Sequence, residues 1–302
     1  MSKLPKHHFV PWSYLRYFAI DPESDRKKSK ICMLDKRPSV KSPIRIEKTD
    51  KVECYVRGQN TVEELDDPEL FEKQYADIDA ALGKIISMML QTIRQSPENL
   101  CFNPENKVVL SNHIMLLFKR QPTVFRDAHT RVINAFDIVK EKVRAEYDGL
   151  LPAPQIEDIL KLKSTKQYAL KLSMDLIGDG VEALQNKVWI YCHNKTNIPF
   201  ITSDYPLCPQ FLPSYSGCGM ADPGCIFRFP VAPDALIYMV DQVHFASNQV
   251  KYYDNAIEPV RDRNFVLMAN YLQYINCTNQ VYSHQTLIPS FYIHPDKISD
   301  CD

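Results

Sequence analysis

The sequence predicts an α+β protein. A helical middle region, about residues 61–180, packs against a β-rich part, about 181–302, and the N-terminal segment 1–60 packs on the latter. Three observations predict it. After Thr61, apolar residues recur at helical spacing through Leu70, Tyr75, Ile78, Leu82, Ile85, Ile86 and Met89. Beyond Gly180, short apolar runs bounded by Pro, Asn and Asp replace that period. No clear linker separates the halves, so residues 1–302 read as a single domain with two lobes.

Each element follows in order. Residues 7–11 form a histidine-bearing turn, and 12–18 read as one or two helical turns. A charged loop covers 21–30. Residues 30–35, 44–46 and 52–55 are strand-like, which makes 28–58 a small strand-rich insert. Thr61 and Glu64 form an S/T-x-x-E capping pair, and the helix it opens runs toward Arg94. Asn103-Pro104 is a cap followed by proline at the first helical position; the helix over 108–119 is apolar and buried. Pro122 interrupts it, and 123–147 continues as an amphipathic helix. Residues 156–162 and 168–177 are helical, stopped by Gly178-Asp179-Gly180. Residues 188–193 and 199–203 read as paired strands joined by the turn 193–197. Residues 227–231 and 235–240 form a second pair, joined by Ala232-Pro233-Asp234. Residues 259–278 return to helix, and 291–294 read as a last strand.

Composition narrows the function classes. Apolar residues are 45% and charged residues 24%, which excludes a disordered chain. A formal net charge of −1 leaves no bulk attraction to nucleic acid, although a local basic groove is compatible with it. Eight glycines against 21 prolines argue against a Gly-rich phosphate cradle. The nine cysteines (32, 54, 101, 192, 208, 218, 225, 277 and 301) are scattered, without C-x-x-C. With no signal-peptide pattern and no span of bilayer length, the expectation is a cytoplasmic protein with reduced thiols, not associated with membranes. Cys208, Cys218 and Cys225 lie near one another in sequence, but structural zinc normally shows paired short spacings, so incidental thiols are the simpler reading.

Five groups of residues carry chemistry. His7-His8 places two imidazoles within reach of one metal or phosphate, anchored by the aromatic run that follows; the alternative is one histidine in a turn and one exposed. His-His before Val-Pro also opens HNH nuclease motifs, yet residues 20–50 contain no further Asn or His ligand. Glu72 and Asp79, two turns apart, project from one helix face, with Asp79 beside the buried stripe; both could equally be ordinary boundary residues. Arg120 ends the most apolar helix, suited either to bidentate anion recognition or to an ion pair with Asp79, Glu72 or Asp204. Thr202-Ser203-Asp204 sits at a strand end before Pro206. Asp204 serves there as ligand or base with Ser203 as hydrogen-bond donor, or closes an Asx-type turn. No G-x-S-x-G elbow supports a serine triad.

These segments resemble the bacterial family of domain of unknown function 4238. The resemblance rests on His7-His8-Phe9-Val10-Pro11 with Tyr14, Leu15 and Phe18, on Glu72 and Asp79, and on Arg120 with Pro122. It continues through 200–206, Phe229-Pro230 with Pro233, and Asn270 with Asn276, from about residue 6 to about 283. Asp79 stands where the family pattern has glutamate, and Gln121 where it has threonine. The resemblance implies a shared polar site or a shared buried network, and no activity.

The sequence therefore predicts a metal-assisted hydrolase of a phosphate ester, nucleic acid included. His7, His8, Asp79 and Asp204 would hold a divalent ion (Mn, Zn or Mg), with Glu72 as second ligand or base and Arg120 stabilising charge on phosphate. The competing expectation is a non-catalytic binding module whose polar cluster is structural, with aromatics at 14–17, Tyr252-Tyr253 and 271–274 as its surface. Lys27, Lys28, Lys161, Lys163 and Lys166 are too dispersed in sequence to predict a nucleic-acid face.

Overall fold

The computed structural model describes residues 4–49, 52, 54–63, 65–95, 104–147, 168, 170, 171, 177–212, 219–241 and 253–286. Glu64, Tyr252, Cys218, the lysines at 161, 163 and 166, and the elements expected at 156–162 and 291–294 lie outside these residues.

The chain is α+β, as its period changes predict. Short helix α1 (Trp12–Leu15) runs into a 3-10 turn (Arg16–Phe18). The helical middle comprises α2 (Leu70–Gln95), α3 (Pro104–Lys119), α4 (Pro122–Tyr147) and α5 (Ile177–Gln185). In α2, Tyr75, Leu82, Ile86, Met89, Leu90 and Ile93 are buried, the stripe expected of a 3.6-residue period. Pro122 starts α4 without costing a hydrogen bond, because a first-turn N–H has no helical partner. Gly178 and Gly180 do not stop a helix. They lie inside α5, where Gly180 lets the helix approach Met115 of α3.

Three sheets among the described residues complete the fold. A five-stranded sheet holds β5 (Val188–Asn194), β7 (Cys208–Phe211), β8 (Cys225–Ala232), β9 (Ala235–Val240) and β10 (Ile257–Val260) in the order β10-β5-β9-β8-β7. Its strands are antiparallel except the β10–β5 pair. A four-stranded antiparallel sheet has the order β3-β2-β11-β6, from β2 (Lys30–Asp35), β3 (Ile44–Lys48), β6 (Thr202–Ser203) and β11 (Gln280–Ser283). The stretch 28–58 is thus no separate insert: β2 and β3 share a sheet with strands from the far end of the chain. Nor do 188–193 and 199–203 pair with each other, since β5 and β6 belong to different sheets. The third sheet is a ribbon of β1 (Lys6–His8) and β4 (Tyr55–Arg57). Helix α6 (Arg263–Asn276) begins at the Asp262 cap, later than the expected 259, because 257–260 pairs with β5.

One continuous core joins Val10, Tyr14 and Phe18 to Ile31 and Met33 of β2, to the inner faces of α2, α3 and α5, and to Trp189, Phe227 and Phe229 of the large sheet. No helix among the described residues is long and apolar enough to cross a membrane.

Candidate functional site

The two histidines sit on β1, a strand and not a turn. Pairing fixes their fates: Lys6 faces Arg57, His7 faces Val56 and His8 faces Tyr55. Alternation then puts Lys6, His8, Tyr55 and Arg57 on one side of the ribbon and His7 on the other. Gly58 closes it at φ +64°, its N–H bonded to Pro5 O, and a Cβ there would meet Leu4 Cδ1 at 2.9 Å.

His7 is buried, and both ring nitrogens are committed. Nδ1 accepts the Asn60 N–H at 2.8 Å, so Nε2 carries the proton and donates to Glu69 Oε2 at 2.7 Å. Glu69 Oε1 accepts from Thr61 Oγ1 at 2.6 Å, and Glu72 Oε2 from Asn60 Nδ2 at 2.8 Å. Glu72 therefore anchors the 58–69 loop to the start of α2.

Arg120 is 3% exposed and forks onto Asp79, Nη1 to Oδ2 at 2.9 Å and Nη2 to Oδ1 at 2.6 Å. Its guanidinium lies 4.9 Å over the Tyr75 ring, and its backbone carbonyl accepts from Gln59 Nε2 at 2.8 Å. Burial raises the Asp79 carboxyl above its ordinary value while Arg120 opposes the rise. Of the roles expected for Arg120, the fork realises the structural ion pair.

Asp204 and Ser203 belong to a different place. Asp204 Oδ1 accepts from Thr278 N at 2.7 Å, and Oδ2 from Asn279 N at 2.7 Å and Gln280 N at 3.0 Å. It gathers the backbone between α6 and β11, as an Asx residue does in a turn, though across more than seventy residues. Burial pushes its carboxyl up to about 6 against those three donors. Ser203 Oγ contacts Gln273 Oε1 at 2.7 Å and Tyr205 O at 3.0 Å and accepts from Tyr205 N, so it too is enclosed.

These positions do not bring the expected metal set together. Of its four members, His7, Asp79 and Asp204 already spend their ligating atoms on protein partners, and the Nε2 of His8 accepts from Arg26 Nη2 at 2.9 Å. Among the described residues, no three His, Cys, Asp or Glu side chains stand where they could share an ion. Cys208 and Cys225 are both buried within the large sheet, at opposite ends of the β7–β8 pairing. Tyr14, expected on a recognition surface, is fully buried, with its hydroxyl bonded to Pro230 O and Thr202 Oγ1 at 2.6 Å each.

What remains open is the outer face of the ribbon. Lys6 and Arg57 are exposed. The Lys6 Nζ stands 4.2 Å and the Arg57 guanidinium 5.9 Å from the Tyr55 ring centroid. The His8 ring meets Tyr55 edge-on at 5.8 Å. Because an arginine only donates, the Arg26 contact fixes Nε2 of His8 as acceptor and leaves Nδ1–H as a donor. Burial, then Arg26, Lys6, Arg120 and His7, hold His8 down to about 4; the charges acting on it most are all positive. Sequence reasoning missed Asn60, Glu69, Arg26 and Tyr55. Only the basic run 26–28 signalled any of them, since the rest is long-range pairing.

No curated protein and no solved structure matches this chain. A family does match, over residues 6–286, a range that includes the His7–Glu69, Arg120–Asp79 and Tyr14–Thr202 contacts. The chain belongs to the family described as protein of unknown function (DUF4238).

Proposed function

We propose that the chain is a binding protein for a phosphate-bearing ligand, a single nucleic-acid strand, on the outer face of the β1–β4 ribbon. One observation carries the reading: strand pairing sets Lys6, His8, Tyr55 and Arg57 side by side, with Arg26 behind His8. Lysine and arginine supply charge for phosphate oxygens, a neutral imidazole supplies an N–H donor, and a tyrosine lies between them for a base to meet. The Arg120–Asp79 and His7–Glu69 pairs support the ribbon from beneath and take no part in chemistry. The closed carboxylates favour binding over the metal-assisted hydrolysis that the sequence suggested.

Fluorescence anisotropy with a labelled single-stranded RNA and DNA tests this, using Lys6→Glu and Arg57→Glu. Both residues are exposed, so the fold should survive, as circular dichroism would verify. Each reversal is expected to weaken binding on the order of tenfold and to lower the salt dependence by about one phosphate contact. The strand should be recovered intact, with or without divalent ions. Failure of the wild type to bind at low salt, or equal binding by both variants, would overturn the proposal.

A further inference from the structure

A second place in the molecule has unspent hydrogen-bonding capacity. Beyond β5, a cleft of about 220 Å³ lies between the 194–199 turn, the β8–β9 turn and the residues after β11. Its walls are built in advance. Asn194 Oδ1 accepts from Thr196 N at 2.9 Å and Oγ1 at 2.8 Å, while its Nδ2 donates to Ile198 O at 2.7 Å. Asn194 N donates to Asp234 O, and Phe200 N to Pro233 O, which ties the two turns together. From the end of α2, Arg94 clamps the Asp234 carboxylate through Nε at 2.7 Å and Nη2 at 2.8 Å. Burial raises Asp234, but those bonds outweigh it and keep the group ionised.

Into this frame project groups without protein partners among the described residues. The side-chain amides of Asn197 and Gln285 line the cleft unbonded. His284 lines it too, with its Nδ1 buried and unpartnered. Burial lowers His284 below its usual value, against the pull of Asp234.

Charge selects the ligand class. Among the described residues no lysine or arginine lines the cleft, which gives an anion nothing there to pair with. The one full charge, Asp234, is already matched by Arg94, so a cation gains little. Each carboxylate oxygen still has a free lone pair for a hydroxyl. Amides that both donate and accept, beside the rings of Pro199 and Pro233, suit a molecule whose adjacent hydroxyls also do both and whose C–H edges are apolar. The volume equals about seven waters' share of liquid, room for one sugar ring.

The geometry points to a vicinal-diol site in this cleft, sized for one furanose or pyranose ring, where Asp234, Asn197 and Gln285 read the hydroxyls and the His284 ring forms part of the wall. Free sugar and the ribose of a nucleoside share that chemistry.

The test is a heteronuclear NMR titration of the ¹⁵N-labelled full chain with D-ribose, 2-deoxy-D-ribose locked as its methyl furanoside (which has no vicinal hydroxyls), D-galactose and uridine. Ribose or galactose should shift the amides of Asn197, Ile198, His284 and Gln285 saturably, with Kd on the order of 1 mM. Deoxyribose should bind several-fold more weakly. Asn197→Ala and Gln285→Ala, changes at accessible side chains, should each weaken the diol several-fold. Tighter binding of uridine assigns the diol to a nucleoside, and preference for galactose assigns it to a free sugar. No saturable shift with any probe, or equal binding of ribose and deoxyribose in wild type and both variants, overturns the site. Because Lys6→Glu does not touch the cleft, the two proposals fail separately.

Discussion

At the scale of single residues, His113 tests what burial demands of a polar group. It is 6% exposed, and neither ring nitrogen has a partner among the described residues. Nearby Arg120 leaves its Nε, and Gln59 its Oε1, without a partner among the described residues. A buried polar group without a partner costs about 1–3 kcal/mol. Replacing His113 by leucine, similar in volume and apolar, is therefore expected to raise stability by about 1 kcal/mol in urea unfolding. A loss of that size would instead mean that enclosed water completes the imidazole's hydrogen bonds. The same residue sets a pH dependence. Burial, with Arg120, lowers His113 to about 4 from 6.5, and His8 stands equally low. The unfolded chain then binds more protons than the folded one between those values, so these two groups contribute stability above pH 6.5 that is lost as pH falls through 4. Asp204, raised to about 6, acts in the opposite sense: its contribution is present below pH 3.8 and lost as pH rises through 6. The ring C2–H resonances of His8 and His113 should titrate near pH 4, and His113→Leu should flatten the acid limb of the stability curve. A midpoint above 6 for either ring contradicts the assignment.

At the scale of elements, α6 is fastened by side-chain amides as well as by apolar area. Asn270 Oδ1 accepts the Ile201 N–H at 3.0 Å, and its Nδ2 donates to Pro199 O at 2.8 Å. Gln273 repeats the pattern one turn on, bonding Pro206 O and Ser203 Oγ. An irregular segment passing through the interior has no ladder to satisfy its backbone, and these two amides supply one. Asn270→Ala strands a buried donor and a buried acceptor, so a loss of about 3 kcal/mol is expected in denaturant unfolding. A loss under about 1 kcal/mol would show that water replaces the amide at both groups. This fastening was only half legible. Long regular elements wrote themselves into local pattern: α2 through its apolar period, α3 through Pro104, and the β8–β9 hairpin through Ala232-Pro233-Asp234. Short strands did not. The three residues of β1 carry no alternation signal, and β11 gains its strand identity from β2 and β6, hundreds and tens of residues away. The polar residues drawn from sequence as one metal site stand in separate hydrogen-bonded clusters. Their separation into a ribbon cluster and an α6–β11 turn depended on which sheet each strand joined.

At the scale of the whole molecule, two lobes in sequence have become one body in packing. The main core runs without interruption from Val10 and Tyr14 through α2 and α3 to Trp189 and Tyr282, so helices and both larger sheets bury the same apolar surface. Tyr14 alone stacks on Phe229 at 5.3 Å and hydrogen-bonds Thr202 and Pro230, joining the N-terminal segment to both larger sheets. A lobe could not leave without exposing the other's core, and at about 25 cal/mol per Å² such exposure costs far more than a partly unfolded state can sustain. Unfolding is therefore expected to be a single transition. The two tryptophans make this measurable: Trp12 packs against the core in the N-terminal segment, and Trp189 sits within the large sheet. Trp12→Phe leaves Trp189 as the reporter, and Trp189→Phe leaves Trp12. Within each variant, tryptophan fluorescence and helical circular dichroism at 222 nm should give the same denaturant midpoint. If Trp12 fluorescence changes before the helical signal is lost, the N-terminal segment unfolds independently, and the shared core does not bind the two lobes into one cooperative unit.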